Sequence, residues 1–353
     1  MSKFKNKCFD SLVEYTPGEQ PQDKRYIKLN TNESPFAPSE SVIKALNSAE
    51  VERLCLYSDP ECKQLKNAIG AVYGFDSENI FVSNGSDEIL NFAFMLYGKQ
   101  NGAAFADITY GFYKVFADLY GIEADIKPLK ADLTVNVEDY IHTGKFTVLA
   151  NPNAPTGIAL PLSEIERIIS SNADNVVLID EAYVDFGGES AVELVRKYDN
   201  LIVCQTYSKS RSMAGARLGF CFASAEIIKD LELIKYSTNP YNINRLTQIA
   251  GAAAMKENDY YTENCARIIK AREYTVERLE QSGFTVLPSS ANFVFARHDK
   301  ISGEKFYLRL KEKGILVRHF TSARIADYNR ITIGSMEQMT AFCDTAELIL
   351  KET

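Results

Sequence analysis

The chain of 353 residues carries 47 acidic and 39 basic side chains, a formal net charge of −8, with 46% hydrophobic and 24% charged residues. That balance belongs to a globular protein and excludes a broadly basic nucleic-acid or anionic-membrane surface; the length exceeds the roughly 250–300 residues that one core supports, so two domains are expected. Only three histidines occur (His142, His298 and His319), with no HxxxH spacing, so zinc sites and Ser-His-Asp triads start without support and no metal is expected.

The opening MSKFKNKCFD has no apolar signal core, and no later stretch approaches the roughly 18 apolar residues of a membrane span. The seven cysteines (Cys8, Cys55, Cys62, Cys204, Cys221, Cys265 and Cys343) form no CxxC, and several sit in apolar runs. They read as reduced thiols, which places the chain in the cytoplasm. Pro17, Gly18, Pro21 and Pro35 break a polar segment, so residues 1–37 are expected to form an arm lying over another part of the molecule.

From residue 38 to 250 helical and strand patterns alternate. Ser39 precedes Val42, Ile43 and Leu46, a capped helix; Cys62, Leu65, Ile69 and Val72 mark another that Gly74 stops. Short unbroken apolar runs at Ile80–Val82, Thr147–Ala150, Val176–Ile179, Leu201–Cys204 and Gly219–Phe222 read as strands buried on both faces. Ser163 and Glu166 have capping-box spacing. The alternation predicts an α/β domain with a large, mostly parallel sheet, helices on both faces and functional groups at strand ends. After residue 250 one long helix (Tyr261 to Leu279) leads into short strands and two more helices, a smaller α+β domain over 251–353.

The 19 glycines include no GxG pair and no GxxxxGK, so the usual dinucleotide and nucleotide loops are missing. Three polar points at strand ends stand out instead. Asn84-Gly85-Ser86-Asp87-Glu88 opens a helix, where backbone amides can face an anion, although Ser and Asp also cap helices everywhere. Asp180-Glu181-Ala182-Tyr183 ends a buried strand, where a carboxylate is costly unless paired, so a cationic partner is implied; a surface turn is the alternative. Thr206-Tyr207-Ser208-Lys209 ends the next strand with Arg217 eight residues beyond the lysine; a partly buried lysine becomes a nucleophile towards aldehydes, whereas most lysines are merely solvated. An anion cradle, a strand-end carboxylate, a lysine and an arginine together meet the needs of pyridoxal phosphate: helix amides and arginine for phosphate, carboxylate for ring nitrogen, lysine for aldehyde.

On these residues the chain resembles the fold-type I PLP-dependent aminotransferases, and among them the histidinol-phosphate aminotransferase family. The resemblance extends over LNTNESP (29–35), Tyr57-Ser58-Asp59-Pro60, Thr109-Tyr110-Gly111, NPNAPTG (151–157), DEAY (180–183), Ser208–Arg217 and Arg330–Gly334, with Tyr15-Thr16-Pro17-Gly18 in the arm. It implies that Lys209 bonds the cofactor aldehyde and acts as general base once released, that Asp180 keeps the ring nitrogen protonated, that Tyr110 stacks on the ring and that Tyr183 binds its hydroxyl. Gly85, Ser86, Ser208 and Arg217, with Thr206, would hold the phosphate, and Asp87 would be a further cofactor-binding residue. Tyr57 would reach a neighbouring subunit's site, implying a homodimer. Arg330 and Arg318 would grip substrate anions, with Tyr15 and Asn32 as further substrate contacts.

Two positions depart from the family pattern. Ala154 stands where the family usually has a second asparagine that bonds the ring hydroxyl, so Asn153 is a substitute candidate; Ile108 replaces a proline. The implied function is transamination between histidinol phosphate/imidazole acetol phosphate and glutamate/2-oxoglutarate in histidine biosynthesis. A threonine-phosphate decarboxylase or an aromatic amino-acid aminotransferase would use the same frame, and Ala154 leaves room for a catalytically impaired PLP-binding module. Substrates are small molecules, with no nucleic acid or membrane partner.

Overall fold

The computed structural model describes residues 5–352 except 7, 8 and 11, so Cys8 and the start of the opening segment lie outside the described residues. A two-residue strand β1 (Ile27–Lys28) ends the arm. Seven strands then form the main sheet: β2 (Ile80–Ser83), β3 (Ala103–Ala106), β4 (Ala124–Lys127), β5 (Phe146–Ala150), β6 (Val177–Asp180), β7 (Leu201–Thr206) and β8 (Gly219–Phe222). Their order is β2-β8-β7-β6-β5-β3-β4. Only β8 runs antiparallel to its neighbours.

The unbroken apolar runs follow from burial on both faces. Val177 and Ile179 pack with Ile69, Ile165 and Val203 on one side, whereas Leu178, Ile202 and Cys204 pack with Phe94, Phe105 and Tyr113 on the other. Strand side chains alternate with period two, so Asp180 at the end of β6 continues the Leu178 side and Glu181 the opposite one. The outer strands β3 and β4 escape sequence detection because AAFA has little strand preference and ADIK is a polar edge.

Helix starts differ from expectation at two places. The helix Leu162–Ser171 begins after Pro161, so Ser163 lies inside it and does not cap. Glu166 instead accepts from Lys197 and Tyr198. Ser39 does sit at an N-cap position, but its hydroxyl bonds Ser41 and Tyr261 rather than a helix amide.

A second, antiparallel sheet has order β12-β13-β10-β9, from β9 (Phe284–Val286), β10 (Phe293–His298), β12 (Arg318–His319) and β13 (Tyr328–Thr332). It packs with the helices Asn258–Gln281 and Met336–Lys351 around Phe284, Leu310, Ile331 and Phe342. The arm joins this part: β1 pairs in parallel with β11 (Ile315–Leu316). The carboxyl ends of β6 and β7 thereby face β12, β13 and the arm across a cleft. No described helix is long and apolar enough to cross a membrane.

Candidate active site

Two cavities meet at Lys209. An outer cleft of about 560 Å³ is lined by Tyr15, Asn32, Arg318 and Arg330 among others. An inner chamber of about 130 Å³ is lined by Ser86, Asp87, Asp180, Thr206, Ser208 and Arg217 among others. Tyr110, Ala154, Tyr183 and Lys209 line both. The residues singled out for substrate and for cofactor therefore separate into two adjoining spaces, with the lysine between them.

At the inner end of the chamber the Asp180 carboxylate is 5% exposed. Its Oδ2 accepts from the Tyr113 hydroxyl at 2.8 Å and its Oδ1 from the Ala182 amide at 3.2 Å. Burial pushes its pKa up from 3.8 to about 6, against the lowering effect of those two donors. The cationic partner expected from sequence is not supplied by the protein: no lysine or arginine forms an ion pair with Asp180 or Glu181 among the described residues. Glu181, on the other side of β6, is held by neutral donors, the Ser190 hydroxyl (2.6 Å), the Ala191 amide (2.6 Å) and the Gln205 side chain (2.9 Å). Burial lifts its pKa to about 7.

At the opposite end the helix Ser86–Ala93 begins after Gly85, whose φ is +81°. That φ strains any residue with a side chain, and a Cβ there would lie 2.7 Å from Arg217 Nη2 and push the guanidinium from its place. Gly219 of β8 abuts the turn from below, where its Cβ would lie 2.4 Å from the Ser86 nitrogen. The Thr206 hydroxyl donates to Ser208 Oγ (3.0 Å) and accepts from the Ser208 amide (3.1 Å), fixing both side chains at the chamber wall. Arg217 Nη2 meets Asp87 Oδ2 at 3.1 Å, and Asp87 Oδ1 accepts from the Tyr110 hydroxyl at 2.8 Å. Burial, then Asp87, holds the Tyr110 phenol far above its ordinary pKa, so it is a neutral donor.

Lys209 Nζ donates to the Thr31 carbonyl at 3.3 Å and lies 5.8 Å from the Tyr183 ring centre. The Tyr183 hydroxyl accepts from Asn32 Nδ2 at 3.0 Å, and Asn32 is locked in turn by Thr332 Oγ1. In the outer cleft Arg330 donates to the Asn30 carbonyl (3.1 Å), while its buried Nε has no hydrogen-bond partner among the described residues. Burial pulls its pKa below the usual arginine value. Arg318 donates to the Thr16 and Pro17 carbonyls and so ties down the arm. That tie sets Tyr15 against Phe112, with ring centres 4.3 Å apart. Burial raises the Tyr15 phenol, opposed first by Arg330 and then by Arg318.

Three of the expected residues line neither cavity: Gly85, which shapes the turn beside Arg217, and Asn153 and Tyr57. Asn153 is engaged elsewhere: Nδ2 donates to the Ile108 carbonyl and Thr156 Oγ1, and Oδ1 accepts from Thr109. Ala154, not Asn153, lines the chamber. Tyr57 is 78% exposed and stacks on Tyr241 at the surface, 4.4 Å between ring centres. Sequence reasoning passed over Tyr113, Thr31 and Thr332. The closeness of Tyr113 to Tyr110, one just inside the helix Phe112–Tyr120 and the other just before it, was the available signal for the first; the other two act through contacts between residues up to 300 positions apart, which no local pattern announces.

The geometry suits pyridoxal phosphate: an unpaired buried carboxylate at one end, a glycine-cleared helix start with an arginine at the other, an aromatic wall and a lysine between. The model for aminotransferase class I and II matches residues 24–345. A histidinol-phosphate aminotransferase of Brachyspira hyodysenteriae is 48% identical over 353 residues, covering 99% of this chain and 100% of its own. One of Marinomonas sp. is 51% identical over 347 residues, 97% of this chain and 98% of its own. The crystal structure of histidinol-phosphate aminotransferase from Sinorhizobium meliloti in complex with pyridoxal-5′-phosphate is 23% identical, with a TM-score of 0.86 over 99% of this chain and 100% of that one, which speaks for the fold. The chain belongs to the class I and II aminotransferase family.

Proposed function

We propose that this chain is a pyridoxal-phosphate-dependent aminotransferase that moves an amino group between glutamate/2-oxoglutarate and histidinol phosphate/imidazole acetol phosphate, in histidine biosynthesis. The observation that carries the reading is the position of Lys209 at the junction of an anion-tailored inner chamber and an arginine-lined outer cleft. The identities of 48% and 51% to proteins of that name, over nearly the whole chain, support the substrate pair.

When bound, pyridoxal phosphate supplies an aldehyde that carries the amino group and an electron-withdrawing ring that stabilises charge at the substrate's α carbon. The chain's own residues do the rest. Ser86, Ser208, Thr206 and Arg217 hold the phosphate at the helix start, where the amides and the guanidinium favour an anion. Asp180 offers a carboxylate whose energy of burial falls when a cation sits beside it. The Tyr183 hydroxyl, oriented by Asn32, serves the ring hydroxyl without a second amide, since Ala154 supplies none. Lys209 Nζ, when not bonded to the aldehyde, takes and returns the α proton. The planar Arg330 guanidinium suits both a carboxylate and a phosphate ester, which lets one site accept two substrates in turn; Arg318 and Tyr15 complete the outer cleft.

The reading includes the domain division at residues 37/38 and 250/251, with the second part bringing Arg318 and Arg330 to the lysine. It also includes a homodimer in which Tyr57, exposed beside Leu54 and Leu56 and outside its own chain's cavities, reaches the partner's phosphate. The unpaired buried thiols of Cys62, Cys204, Cys221, Cys265 and Cys343 fit a cytoplasmic enzyme. The test is the visible spectrum of the purified enzyme before and after glutamate, with Lys209→Ala as control. A yellow protein bleached by glutamate, and a variant that cannot retain the cofactor covalently, are expected; a wild-type protein indifferent to glutamate defeats the proposal. Sedimentation velocity, and mixing of Tyr57→Ala with Lys209→Ala subunits, test the shared site.

A further inference from the structure

We propose that Tyr113 is a positioning residue that acts through Asp180: its buried hydroxyl holds that carboxylate ionised and aimed into the inner chamber, and so sets the proton on the cofactor's ring nitrogen. The inference rests on the assignment of Asp180 to the ring nitrogen made above, and goes one residue deeper than it.

The arrangement leaves the hydroxyl one task. The Tyr113 ring is 0% exposed and is enclosed by Phe94 (6.3 Å between centres), Phe105 (6.1 Å) and Tyr110 (5.7 Å). Its O–H points at Asp180 Oδ2, 2.8 Å away. Tyr110 lies just before the helix Phe112–Tyr120 and lines the chamber, and Tyr113 in the first turn of that helix gives its hydroxyl to the carboxylate. With Oδ2 bonded to Tyr113 and Oδ1 to the Ala182 amide, the carboxyl plane is fixed at two points. The remaining lone pairs are what the chamber sees.

The electrostatics agree with the geometry. Asp180 is faced by Tyr113 from one helix, Asp87 from the helix Ser86–Ala93, Cys204 from β7 and Lys209 beyond β7. Asp87 disfavours its charge and Lys209 favours it, and the Tyr113 hydroxyl is the strongest counterweight to burial. Burial and Asp180 hold the phenol of Tyr113 well above its ordinary pKa, so it donates its proton to the bond and does not surrender it. Between a carboxylate with a protonated ring nitrogen and a neutral carboxyl with an unprotonated one, a phenol donor favours the first. Tyr113 thereby favours the charged ring without touching it.

The experiment uses the cofactor-loaded enzyme made with ring-15N pyridoxal phosphate. Tyr113→Phe is expected to move the ring 15N resonance towards that of the unprotonated ring. It should also lower kcat roughly tenfold to a hundredfold, the loss of one hydrogen bond to a charged group, with KM for glutamate little changed. In cofactor-free protein, infrared titration should find the Asp180 carboxyl, identified by Asp180→Asn, ionising at higher pH in Tyr113→Phe than in wild type. Replacing Tyr113 with 3-fluorotyrosine keeps the packing and gives a more acidic O–H; it should shift the carboxyl titration the opposite way, which keeps the test open if Tyr113→Phe folds poorly. A 15N resonance and a carboxyl titration that stay at their wild-type positions in these variants overturn the proposal and leave Tyr113 a packing residue. Asp180→Ala separates the two levels: if it leaves the ring resonance unmoved, the Asp180 assignment itself fails; if it moves the resonance while the Tyr113 variants do not, only the present inference fails.

Discussion

The stability of cofactor-free Asp180→Asn relative to wild type should rise with pH. In the folded chain burial raises the Asp180 pKa from 3.8 to about 6. The unfolded chain therefore gives up this proton at lower pH than the folded one, and stability falls as pH rises between those two values, then stays level. A shift of roughly two units corresponds to a penalty of about 3 kcal/mol at pH 8, of which about half is already present at pH 5. Asparagine keeps an oxygen for the Tyr113 hydroxyl and carries no charge, so it escapes this pH-dependent part. Any fixed cost of its amide cancels when the variant is compared with wild type at two pH values. Thermal unfolding of both proteins, stripped of cofactor, should show the variant's stability relative to wild type growing by about 1.5 kcal/mol from pH 5 to pH 8, or about 2 °C in Tm. In the loaded enzyme a cation beside Asp180 removes the penalty, and the variant should become the less stable protein. A difference that is flat with pH, or that grows towards acid, refutes the claim that Asp180 is an uncompensated buried carboxylate.

Three further outcomes are expected from the geometry. Gly85→Ala places a methyl group 2.7 Å from Arg217 Nη2 at a φ of +81°, and equilibrium dialysis should find cofactor affinity reduced at least about tenfold. Gly219→Ala drives a Cβ to 2.4 Å from the Ser86 backbone nitrogen, which cannot move aside as a side chain would; a loss of roughly 1–3 kcal/mol in unfolding experiments, together with weaker cofactor binding, is expected, and unchanged values would show that β8 does not brace the turn. Arg330→Lys keeps the charge and loses the planar fork, so kcat/KM for glutamate should fall by roughly tenfold to a hundredfold in steady-state assays; retention of full activity would remove Arg330 from the substrate site.

The large sheet was legible because strands buried on both faces are written as unbroken apolar runs, and Val177–Asp180 and Leu201–Thr206 keep that pattern up to the residues that line the chamber. A charged residue at the end of such a run is conspicuous, and Asp180 and Lys209 stood out for that reason. Legibility failed where local chemistry was ambiguous. Ser163 has the right neighbours for a cap, but Pro161, with its fixed φ, begins the helix two residues earlier. It failed again where placement depends on distant chain: Thr332 orients Asn32 across 300 residues, and Arg318 spends its donors on the arm's carbonyls. Asn153 shows the same limit from the other side, since its neighbours in sequence pointed to the cofactor while its amide is consumed by Ile108, Thr109 and Thr156.

The central claim is that the junction at Lys209 carries an amino group between two substrates. Its most direct test is a pair of half-reactions followed by the absorbance of the bound cofactor in a single turnover. Glutamate should bleach the aldehyde band and release one equivalent of 2-oxoglutarate, and imidazole acetol phosphate added afterwards should restore the band with formation of histidinol phosphate. Tight cofactor binding with no spectral change on adding glutamate, or release of carbon dioxide from threonine phosphate without need of a keto acid, would contradict it.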